Sequence, residues 1–471
     1  MIDAVVVGSG PNGLAAAVAL AQEGYQVTVL EGANEIGGGT RTAELTVPGV
    51  LHDVCSALHP FGVASPFLSS LPLAEHGLVW RWPESDLAHP LDDGTAAVLY
   101  RSIDSTAAAL GADGEAWRRT FGPLSSSLDE FAPDVLGPLL RVPAHPLLTA
   151  QFGLRAGLPA SVLWSRFAGA HAKALFAGCA AHLMRPLNRP ASASVGTMLV
   201  AAGHRYGWPV AEGGSQAITR ALSSLLISQG GTIQTGTVVR SLAELPVSRV
   251  TLFDTSPRAL ADILGDRLGA ARAKAYRRFR HGPGAFKVDL AVRGGIPWTA
   301  SESRQAGALH LGGTAEEVAH VEAEVCVGRM PERPVVLVGQ QYLADPTRSA
   351  GDIHPIWAYA HVPAGYTGDA TEVVLSQIER FAPGFRDTIV GQHVTTPTDY
   401  ARYNANFVGG DVVGGANTLR QLVARPLLRR NPYETGIPGV YLCSASTPPG
   451  GGVHGMCGWQ AAQHALSFLQ G

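Results

Sequence analysis

The sequence predicts an α/β fold that opens with a strand, a glycine turn and a helix. The apolar run over residues 2–7 is typical of a buried strand, and the small residues over 14–21 are typical of a helix packed closely on it. Gly8, Gly10 and Gly13 lie between them, in the spacing of a Rossmann-like dinucleotide-binding unit. In this unit the first glycine allows a tight turn, the second lets backbone approach a pyrophosphate, and the third lets helix and strand pack.

The residues that follow predict how the dinucleotide is bound. The helix begins at Pro11 and Asn12, where free N–H groups and the positive end of the helix dipole would face the phosphates. A second apolar strand over residues 26–30 ends in Glu31. A carboxylate at that distance accepts hydrogen bonds from both ribose hydroxyls, so we expect Glu31 to bind the ribose.

A second glycine cluster follows the ribose acid and comprises Gly38, Gly39, Thr40 and Arg41. A plain nicotinamide unit has no role for such a cluster, whereas a flavoprotein needs the chain to return over the pyrophosphate and ribityl chain. Arg41 would then neutralise phosphate charge. The alternative is a flexible surface turn, because glycine clusters are usually loops.

The C-terminal end carries a third glycine-rich loop between a short apolar strand and a final helix. Its residues of interest are Ser446, Gly451, Gly452, Val453 and His454. Together the two chain ends resemble the phytoene dehydrogenase-like flavoproteins, which include carotenoid desaturases, carotenoid isomerases and pyridine nucleotide-disulphide oxidoreductase domain-containing homologues. These belong to the wider amine oxidase-like superfamily. The resemblance implies a Rossmann-like FAD-binding domain of the glutathione reductase or amine oxidase type, with FAD as the cofactor.

The resemblance also implies roles for single segments. In the family the C-terminal loop wraps the flavin, and the last helix points its N-terminus at the pyrimidine ring, which carries negative charge when the flavin is reduced. This chain has Ser444 and Ser446 where many related flavoproteins carry an acid, so we expect backbone groups to contact the ribityl chain. An alternating strand pattern over residues 232–239 matches the family's third FAD-binding segment, where backbone near Val239 would face the adenine.

The resemblance covers nearly the whole chain and implies two interleaved domains. The FAD-binding domain would comprise residues 1–65, 204–274 and 426–471. An α+β substrate domain would comprise a largely helical insert at 66–203 and a mixed sheet within 275–425. In the sheet pattern over residues 284–292, Lys287 and Asp289 share one face, which predicts a half-buried strand. We expect a cleft where this domain meets the flavin.

Four polar residues are the catalytic candidates. His454 lies in the loop expected against the flavin and would act as a base or hydrogen-bond donor, or would only fix the loop. His59 lies where the family's chain passes under the flavin ring, with structural hydrogen bonding as the alternative. Asn406 and Asp411 lie in a glycine-rich loop that the family brings near the active site. No metal-ligand spacing is present in the sequence.

These features predict an FAD-dependent oxidoreductase that desaturates a largely apolar small molecule by hydride transfer to flavin N5. A redox-neutral double-bond isomerase of the same fold is the first alternative. A flavin amine oxidase is the second, and is weakened because Trp459 in the C-terminal motif has no paired tyrosine. A flavin-binding protein without turnover is the third.

Composition narrows the partners and the compartment. The net charge of −3 and pI near 6.6 give no reason to expect nucleic acid or an anionic membrane as a partner. The five scattered cysteines form no CxxC pair and suggest a reducing cytoplasm. We expect a lipophilic substrate and oxygen or a quinone as electron acceptor, and we leave peripheral membrane contact and a homodimer open. Nicotinamide cofactors should not be obligatory, because the one complete GxGxxG unit serves FAD.

Overall fold

The computed structural model describes residues 2–471. Its strands are β1 (Ile2–Val7), β2 (Val27–Leu30), β3 (Thr42–Ala43), β4 (His52–Asp53), β5 (Trp80–Arg81), β6 (Ser85–Pro90), β7 (Ala96–Leu99), β8 (Val210–Ala211), β9 (Thr232–Gln234), β10 (Ser248–Phe253), β11 (Gly284–Arg293), β12 (Ala306–Leu311), β13 (Val336–Gly339), β14 (Ile353–Val362), β15 (Ile389–Thr395) and β16 (Val440–Leu442).

The helices alternate with these strands at both chain ends and cluster between β7 and β8. They are α1 (Pro11–Gln22), α2 (Pro60–Val63), α3 (Pro66–Ser70), α4 (Ile103–Ala109), α5 (Gly114–Ser126), α6 (Leu128–Val135), α7 (Pro146–Ala156), α8 (Ala160–Trp164), α9 (Ala170–Ala181), α10 (Ser194–Tyr206), α11 (Gln216–Ser228), α12 (Pro257–Leu264), α13 (Ala270–Arg277), α14 (Ala315–Cys326), α15 (Thr371–Phe381), α16 (Pro397–Tyr403), α17 (Leu419–Val423) and α18 (Met456–Gln470).

A five-stranded, wholly parallel sheet has the order β16-β10-β1-β2-β9. Its strands come from both ends and the middle of the chain. Because all five run in one direction, the loops after β1, β2, β10 and β16 meet at one edge, which is where open α/β sheets bind ligands. The predicted fold class is confirmed.

Helices α1 and α18 lie side by side on this sheet in backbone contact. A Cβ on Gly458 would lie 1.8 Å from the carbonyl oxygen of Asn12, and one on Gly455 would lie 2.8 Å from Cβ of Ala15. Gly455 also has a φ of +67°, at the turn that starts α18. The two helices therefore bring their N-termini to the same edge of the sheet.

The second large sheet has seven strands in the order β15-β11-β14-β13-β12-β6-β7. Strands β12 and β6 pair in parallel, and the other neighbours are antiparallel. Strands β6 and β7, at one end of this sheet, come from the 66–203 insert, so this insert is helical only in part. The prediction of a half-buried β11 was wrong: Lys287 and Asp289 are fully buried, because β4 lies on that face. Lys287 donates to the Asp53 carbonyl at 2.8 Å, and the Asp289 carboxylate lies 3.5 Å from His52 Nδ1.

One further sequence pattern ends differently in the structure. The strand predicted over residues 232–239 stops at Gln234, and the chain continues as a loop past Val239. Within residues 2–471, no helix combines the length and apolar character that a membrane crossing requires.

Candidate functional site

The loop after β1 is shaped by contacts that a side chain would prevent. A Cβ on Gly13 would lie 2.1 Å from the carbonyl oxygen of Gly8, so helix α1 can start against β1 only with glycine there. Gly8 itself has a φ of +104°. Pro11 is the first residue of α1, and Asn12 is buried beside it. Backbone N–H groups at a helix N-terminus bind anions, so phosphate binding by this turn remains a prediction.

Glu31 lies at the end of β2 and points back towards this loop. Its Oε2 accepts hydrogen bonds from the N–H and hydroxyl groups of Ser9, at 2.9 and 2.5 Å, and its Oε1 accepts one from Ala33 N–H at 2.8 Å. A carboxylate has about four acceptor positions, so the bonds to Ser9 and Ala33 leave capacity for a ribose hydroxyl. Through its bonds to Ser9, Glu31 also holds the glycine loop in place, which the sequence did not predict.

The second glycine cluster lies directly on the first. A Cβ on Gly38 would lie 3.0 Å from Cα of Gly10, and the hydroxyl of Tyr403 donates to the Gly38 carbonyl at 2.7 Å. A Cβ on Gly39 would lie 3.2 Å from the ring of Phe407. Thr40 is buried, and its hydroxyl donates within the turn. The cluster is therefore a packed part of the site.

Arg41 is buried at the end of this cluster. Its guanidinium donates to the carbonyls of Glu35, at 2.7 Å, and Ile36, at 3.2 Å, and lies 3.7 Å from the Glu31 carboxylate. The nearest ring is that of Tyr403, with its centroid 5.1 Å away. The Glu35 and Ile36 carbonyls and the Glu31 carboxylate already engage the guanidinium. Contact of Arg41 with a phosphate remains a prediction.

Asp254 is a residue of this site that the sequence analysis missed. It follows β10, and its Oδ2 accepts the backbone N–H of Gly13 at 2.9 Å. A Cβ on Gly10 would lie only 2.8 Å from the same oxygen. Burial raises the pKa of Asp254 to about 7, assisted by the charge of Glu31 and opposed by the Gly13 N–H. An acid directly after a strand that pairs in parallel with β1 was the available signal.

The C-terminal loop lies against other loops of the site. A Cβ on Gly451 would lie 2.6 Å from the carbonyl oxygen of Val413, and Gly452 has a φ of +132°. The Val453 carbonyl lies 3.3 Å from the Cβ position of Gly62. This contact brings the loop against the segment that contains His59.

The two serines of the C-terminal loop bond to each other. The hydroxyls of Ser444 and Ser446 lie 2.8 Å apart, and both side chains are buried. Contact of backbone groups with the ribityl chain therefore remains the prediction at this position.

His454 is held inside the C-terminal loop. Its Nδ1 accepts the backbone N–H of Met456, at the start of α18, at 3.0 Å. The ring is buried, and burial lowers its pKa to about 4, opposed by backbone groups of Gly450 and Gly451. This geometry suits the alternative that the histidine fixes the loop.

His59 has a buried nitrogen without a partner. Its Nε2 lies 2.7 Å from Oγ of Ser215, whose hydroxyl hydrogen goes to the Ser56 carbonyl at 2.7 Å. His59 must therefore donate from Nε2, which makes Nδ1 the acceptor nitrogen. No hydrogen-bond partner for Nδ1 lies among residues 2–471. Burial lowers the pKa of His59 to about 4, opposed by the charge of Asp53.

The two loop candidates from the sequence are bonded to backbone. Asn406 donates from Nδ2 to the Asp254 carbonyl at 2.9 Å and accepts Ser256 N–H at 2.7 Å. The carboxylate of Asp411 accepts the N–H groups of Gly282 and Val413, at 2.9 and 3.0 Å. These bonds make positioning roles the simplest account, with Asn406 beside the phosphate loop.

Val239 is partly buried and packs against the core under β1 and β10. Its neighbour Val238 makes the closer approach to the ribose acid, with Cγ2 3.4 Å from the Cβ position of Gly32. The loop that contains Val238 and Val239 therefore reaches the end of β2. The adenine contact of Val239 remains a prediction.

Aromatic side chains from the seven-stranded sheet and α16 surround the loop that leads to His59. Trp357 donates from Nε1 to the Cys55 carbonyl at 2.8 Å, and Tyr400 donates to the Val54 carbonyl at 3.2 Å. Tyr359 packs edge-on against Trp357, with the ring centroids 4.8 Å apart. No local sequence signal predicts these contacts, because Trp357 and Tyr400 lie more than 300 residues from the loop that they bond.

A buried ionic network supports the same loop. The ammonium group of Lys287 pairs with Asp289 and donates to the Asp53 carbonyl at 2.8 Å. The carboxylate of Asp53 pairs with Arg348 and accepts Ser215 N–H at 2.6 Å. Lys287, paired with Asp289, therefore holds the loop around Asp53 in place.

The comparisons with known proteins agree with this geometry. The model of the NAD(P)-binding Rossmann-like domain family matches residues 6–70. Pyridine nucleotide-disulfide oxidoreductase domain-containing protein 2 of Mus musculus is 26% identical, over 99% of this chain and 94% of the mouse protein. Hydroxyneurosporene desaturase of Rhodobacter capsulatus is 25% identical, over 96% of this chain and 94% of that protein.

Among solved structures, putrescine oxidase superposes with a TM-score of 0.62 at 17% identity, over 100% of this chain and 99% of that one. This chain therefore shares the fold of putrescine oxidase. Two helix N-termini, the acid Glu31 after β2 and two packed glycine loops meet at one edge of the five-stranded sheet, and we call this arrangement the cradle. The cradle fits FAD. FAD is accordingly the cofactor of this site.

Proposed function

We propose that this protein is an FAD-dependent dehydrogenase that introduces a double bond into a largely apolar small molecule, as the phytoene dehydrogenase-like resemblance suggests. When bound, the flavin supplies a hydride acceptor at N5. The likeness to hydroxyneurosporene desaturase supports this reaction class. The chain's own residues must exclude water, orient the substrate and accept one proton.

The single observation that carries the proposal is the free Nδ1 of His59. Hydride loss from one carbon leaves a proton to be removed from its neighbour, and the double bond forms between the two. Among the four predicted catalytic side chains, His59 alone has a buried, unpartnered acceptor atom within residues 2–471. We assign the proton to this nitrogen, with the Asp53 carboxylate stabilising the imidazolium that results.

The lowered pKa fixes the pH dependence expected of this step. With a pKa of about 4, His59 stays neutral from pH 6 to pH 8 and accepts a proton throughout that range. The rate of flavin reduction by substrate should therefore show no change from ionisation of His59 between pH 6 and pH 8. It should fall only as the pH approaches 4, where the imidazole is already protonated.

An apolar substrate suits the interior around this loop. The core between the helical insert and the seven-stranded sheet is rich in buried aromatic side chains, including Trp117, Phe121, Phe176, Trp208 and Trp357. Such surroundings exclude water and offer few hydrogen bonds to a polar substrate.

A flavin amine oxidase is the second candidate, and the aromatic set around Cys55 favours it. The sequence lacked a tyrosine to pair with Trp459, and in the structure Trp459 stacks on Phe67 within the FAD-side core. Tyr359 and Tyr400 instead supply aromatic rings from the core between the helical insert and the seven-stranded sheet. The fold likeness to putrescine oxidase is compatible with this reading.

Anaerobic reduction of the oxidised protein separates the candidates. We expect lipophilic polyenes or hydroaromatic compounds to remove the yellow flavin absorbance, and amines not to do so. Bleaching by amines alone would replace the proposal with amine oxidation. Conversion of a polyene only after chemical pre-reduction, with no net redox change, would indicate the isomerase.

Electron acceptors are tested with the reduced protein. We propose oxygen or a quinone, because the one complete dinucleotide unit is the FAD cradle. Mixing the oxidised protein with NADH or NADPH should give no rapid, saturable flavin reduction. Such a reduction would overturn this part of the proposal.

We also propose that an anionic membrane surface delivers the substrate. The segment from Pro138 to α7 exposes a set of aliphatic side chains: Leu139, Leu140, Val142, Leu147 and Leu154. Val142 is 93% exposed and Leu147 81% exposed, and a groove beside the segment is lined by Arg141, Arg429 and Arg430. Exposed aliphatic groups beside arginines suit an anionic lipid surface, although Glu434 also lines the groove.

Sedimentation with vesicles tests this surface. The protein should bind vesicles that contain phosphatidylglycerol and bind pure phosphatidylcholine about tenfold less. Leu147→Ser with Leu154→Ser should reduce binding, whereas Val247→Ser, at an equally exposed valine on the FAD side, should not. Equal binding by all variants would contradict the surface, and a variant-sensitive dimer in gel filtration would assign it to a second copy instead.

A further inference from the structure

Asp254 places a carboxyl group inside the phosphate-binding turn. Its Oδ2 accepts the Gly13 N–H at 2.9 Å and lies 2.8 Å from the Cβ position of Gly10. The first-turn N–H groups of a helix are the groups that bind phosphate, and this side chain already engages one of them. The glycine at position 10 is therefore needed to admit the carboxyl as well as the cofactor.

The backbone of Asp254 is fixed, so the side chain cannot swing away without cost. Its N–H donates to the Val7 carbonyl at 2.8 Å, and its carbonyl accepts from Asn406 Nδ2 at 2.9 Å. The side chain of Asn406 also accepts Ser256 N–H, which closes the turn. Asn406 thereby acts as a positioning residue for Asp254.

The groups that face Asp254 make its charge unfavourable. Glu31, from the end of β2, adds negative charge, and the Gly13 N–H is the opposing dipole. Cys443, after β16, and Cys457, in α18, lie on the remaining sides as buried thiols whose pKa values are raised, that of Cys457 to about 12. Both thiols are therefore neutral at physiological pH.

The arginine nearest to this group of acids is already engaged. Arg41 lies 3.7 Å from the Glu31 carboxylate and donates to the carbonyls of Glu35 and Ile36. Its charge is thus directed at Glu31, and no arginine or lysine contributes to the shift of Asp254.

We infer that FAD binds with Asp254 in its neutral carboxylic acid form, so that affinity for the cofactor's diphosphate falls as this side chain ionises. A diphosphate brings further negative charge to the turn, and like charges at close range in a buried site repel strongly. Glu31 differs because it faces the ribose, whose hydroxyls donate to a carboxylate. The two acids of the cradle therefore have opposite requirements for charge.

The sign of the pH dependence follows from linkage. In the free protein the pKa of Asp254 is about 7, and bound diphosphate should raise it further, so binding takes up a proton above pH 7. Below that pH the acid is already neutral and affinity should not change. Above it the dissociation constant should rise towards tenfold for each pH unit.

Release of FAD from the holoprotein on dilution, followed by flavin fluorescence between pH 5.5 and 8.5, tests this inference. In the wild type, the dissociation constant of FAD should not change with pH below about pH 6.5 and should be about tenfold higher at pH 8 than at pH 6. Asp254→Asn keeps an acceptor for Gly13 N–H without the charge. It should remove the pH dependence and bind FAD about tenfold more tightly than the wild type at pH 8.

Asp262→Asn is the matched control. Asp262 lies on the next helix, α12, is exposed, and pairs with Arg277 at 3.0 Å. This variant should follow the wild-type profile. Retention of the full pH dependence by Asp254→Asn, or weaker FAD binding by it at every pH, would overturn the inference.

Calorimetry on the wild type gives a second measurement that needs no variant. Binding of FAD at pH 8, in buffers of different ionisation enthalpy, should take up close to one proton, and at pH 6 close to none. Absence of proton uptake at pH 8 would also overturn the inference, even if Asp254→Asn fails to fold.

Discussion

The dinucleotide cradle and the interior around His59 are held together in different ways. In the cradle, backbone lies against backbone at distances that only glycine allows, as at Gly13 and Gly38. Around His59, long side chains reach across and bond to a loop, as Trp357 and Tyr400 do. A single added methyl group should therefore damage the cradle, whereas the interior should respond to loss of particular polar atoms.

Gly458→Ala should give the largest effect. The added methyl would lie 1.8 Å from the Asn12 carbonyl, so α18 and α1 must separate. Overpacking of this kind costs about 3 kcal/mol, and here it also shifts the N-termini that face the cofactor. We expect a protein with a lower melting temperature and little bound FAD.

Gly153→Ala is the control for that prediction. It adds a methyl in the exposed helix α7, where nothing lies within 4 Å of the Cβ position. A helix interior favours alanine over glycine by about 0.5–1 kcal/mol, so stability should be equal or higher. A similar loss in both variants would show that the contact between α1 and α18 is not what the first substitution breaks.

Glu31→Ala should weaken FAD binding by about 2–4 kcal/mol, because charge-assisted hydrogen bonds to the ribose and to the glycine loop are lost together. Equilibrium dialysis of the flavin measures the change. Glu31→Gln retains an acceptor for Ser9 and should lose less. Full FAD occupancy of the alanine variant after dialysis would count against the ribose assignment.

These expectations show which parts of the molecule the sequence could predict. The cradle is encoded locally: strand, glycine turn, helix and ribose acid all lie within the first 41 residues, and each spacing has one physical meaning. Asp254 is the exception. It lies 241 residues from Gly13 in the chain and comes beside it only because β10 pairs with β1.

The interior could not be predicted in the same way. The hydrogen bond between His59 and Ser215 joins residues 156 apart in the chain, and that between Trp357 and Cys55 joins residues 302 apart. No local sequence spacing predicts either bond. Residue type and the loop positions implied by the family resemblance suggested His454 and Asp411 as catalysts. Burial and backbone hydrogen bonds, which only the fold supplies, indicate instead that they hold loops.

His454→Ala should have a smaller effect than the cradle substitutions. The variant loses the acceptor for Met456 N–H and a buried ring, which should lower the free energy of unfolding by about 1–2 kcal/mol. Urea unfolding measures this loss, and FAD content should fall with it. Unchanged stability with a reduction rate about 10²-fold lower per bound FAD would return His454 to the mechanism.

The most direct test compares anaerobic flavin reduction, per bound FAD, in His59→Gln and His454→Ala, using the best reductant from the substrate screen. Glutamine can still donate to Ser215 but has no basic nitrogen to match Nδ1. We predict a rate about 10²-fold lower in His59→Gln and a nearly normal rate in His454→Ala. A normal rate in His59→Gln would contradict the assignment of the proton to His59.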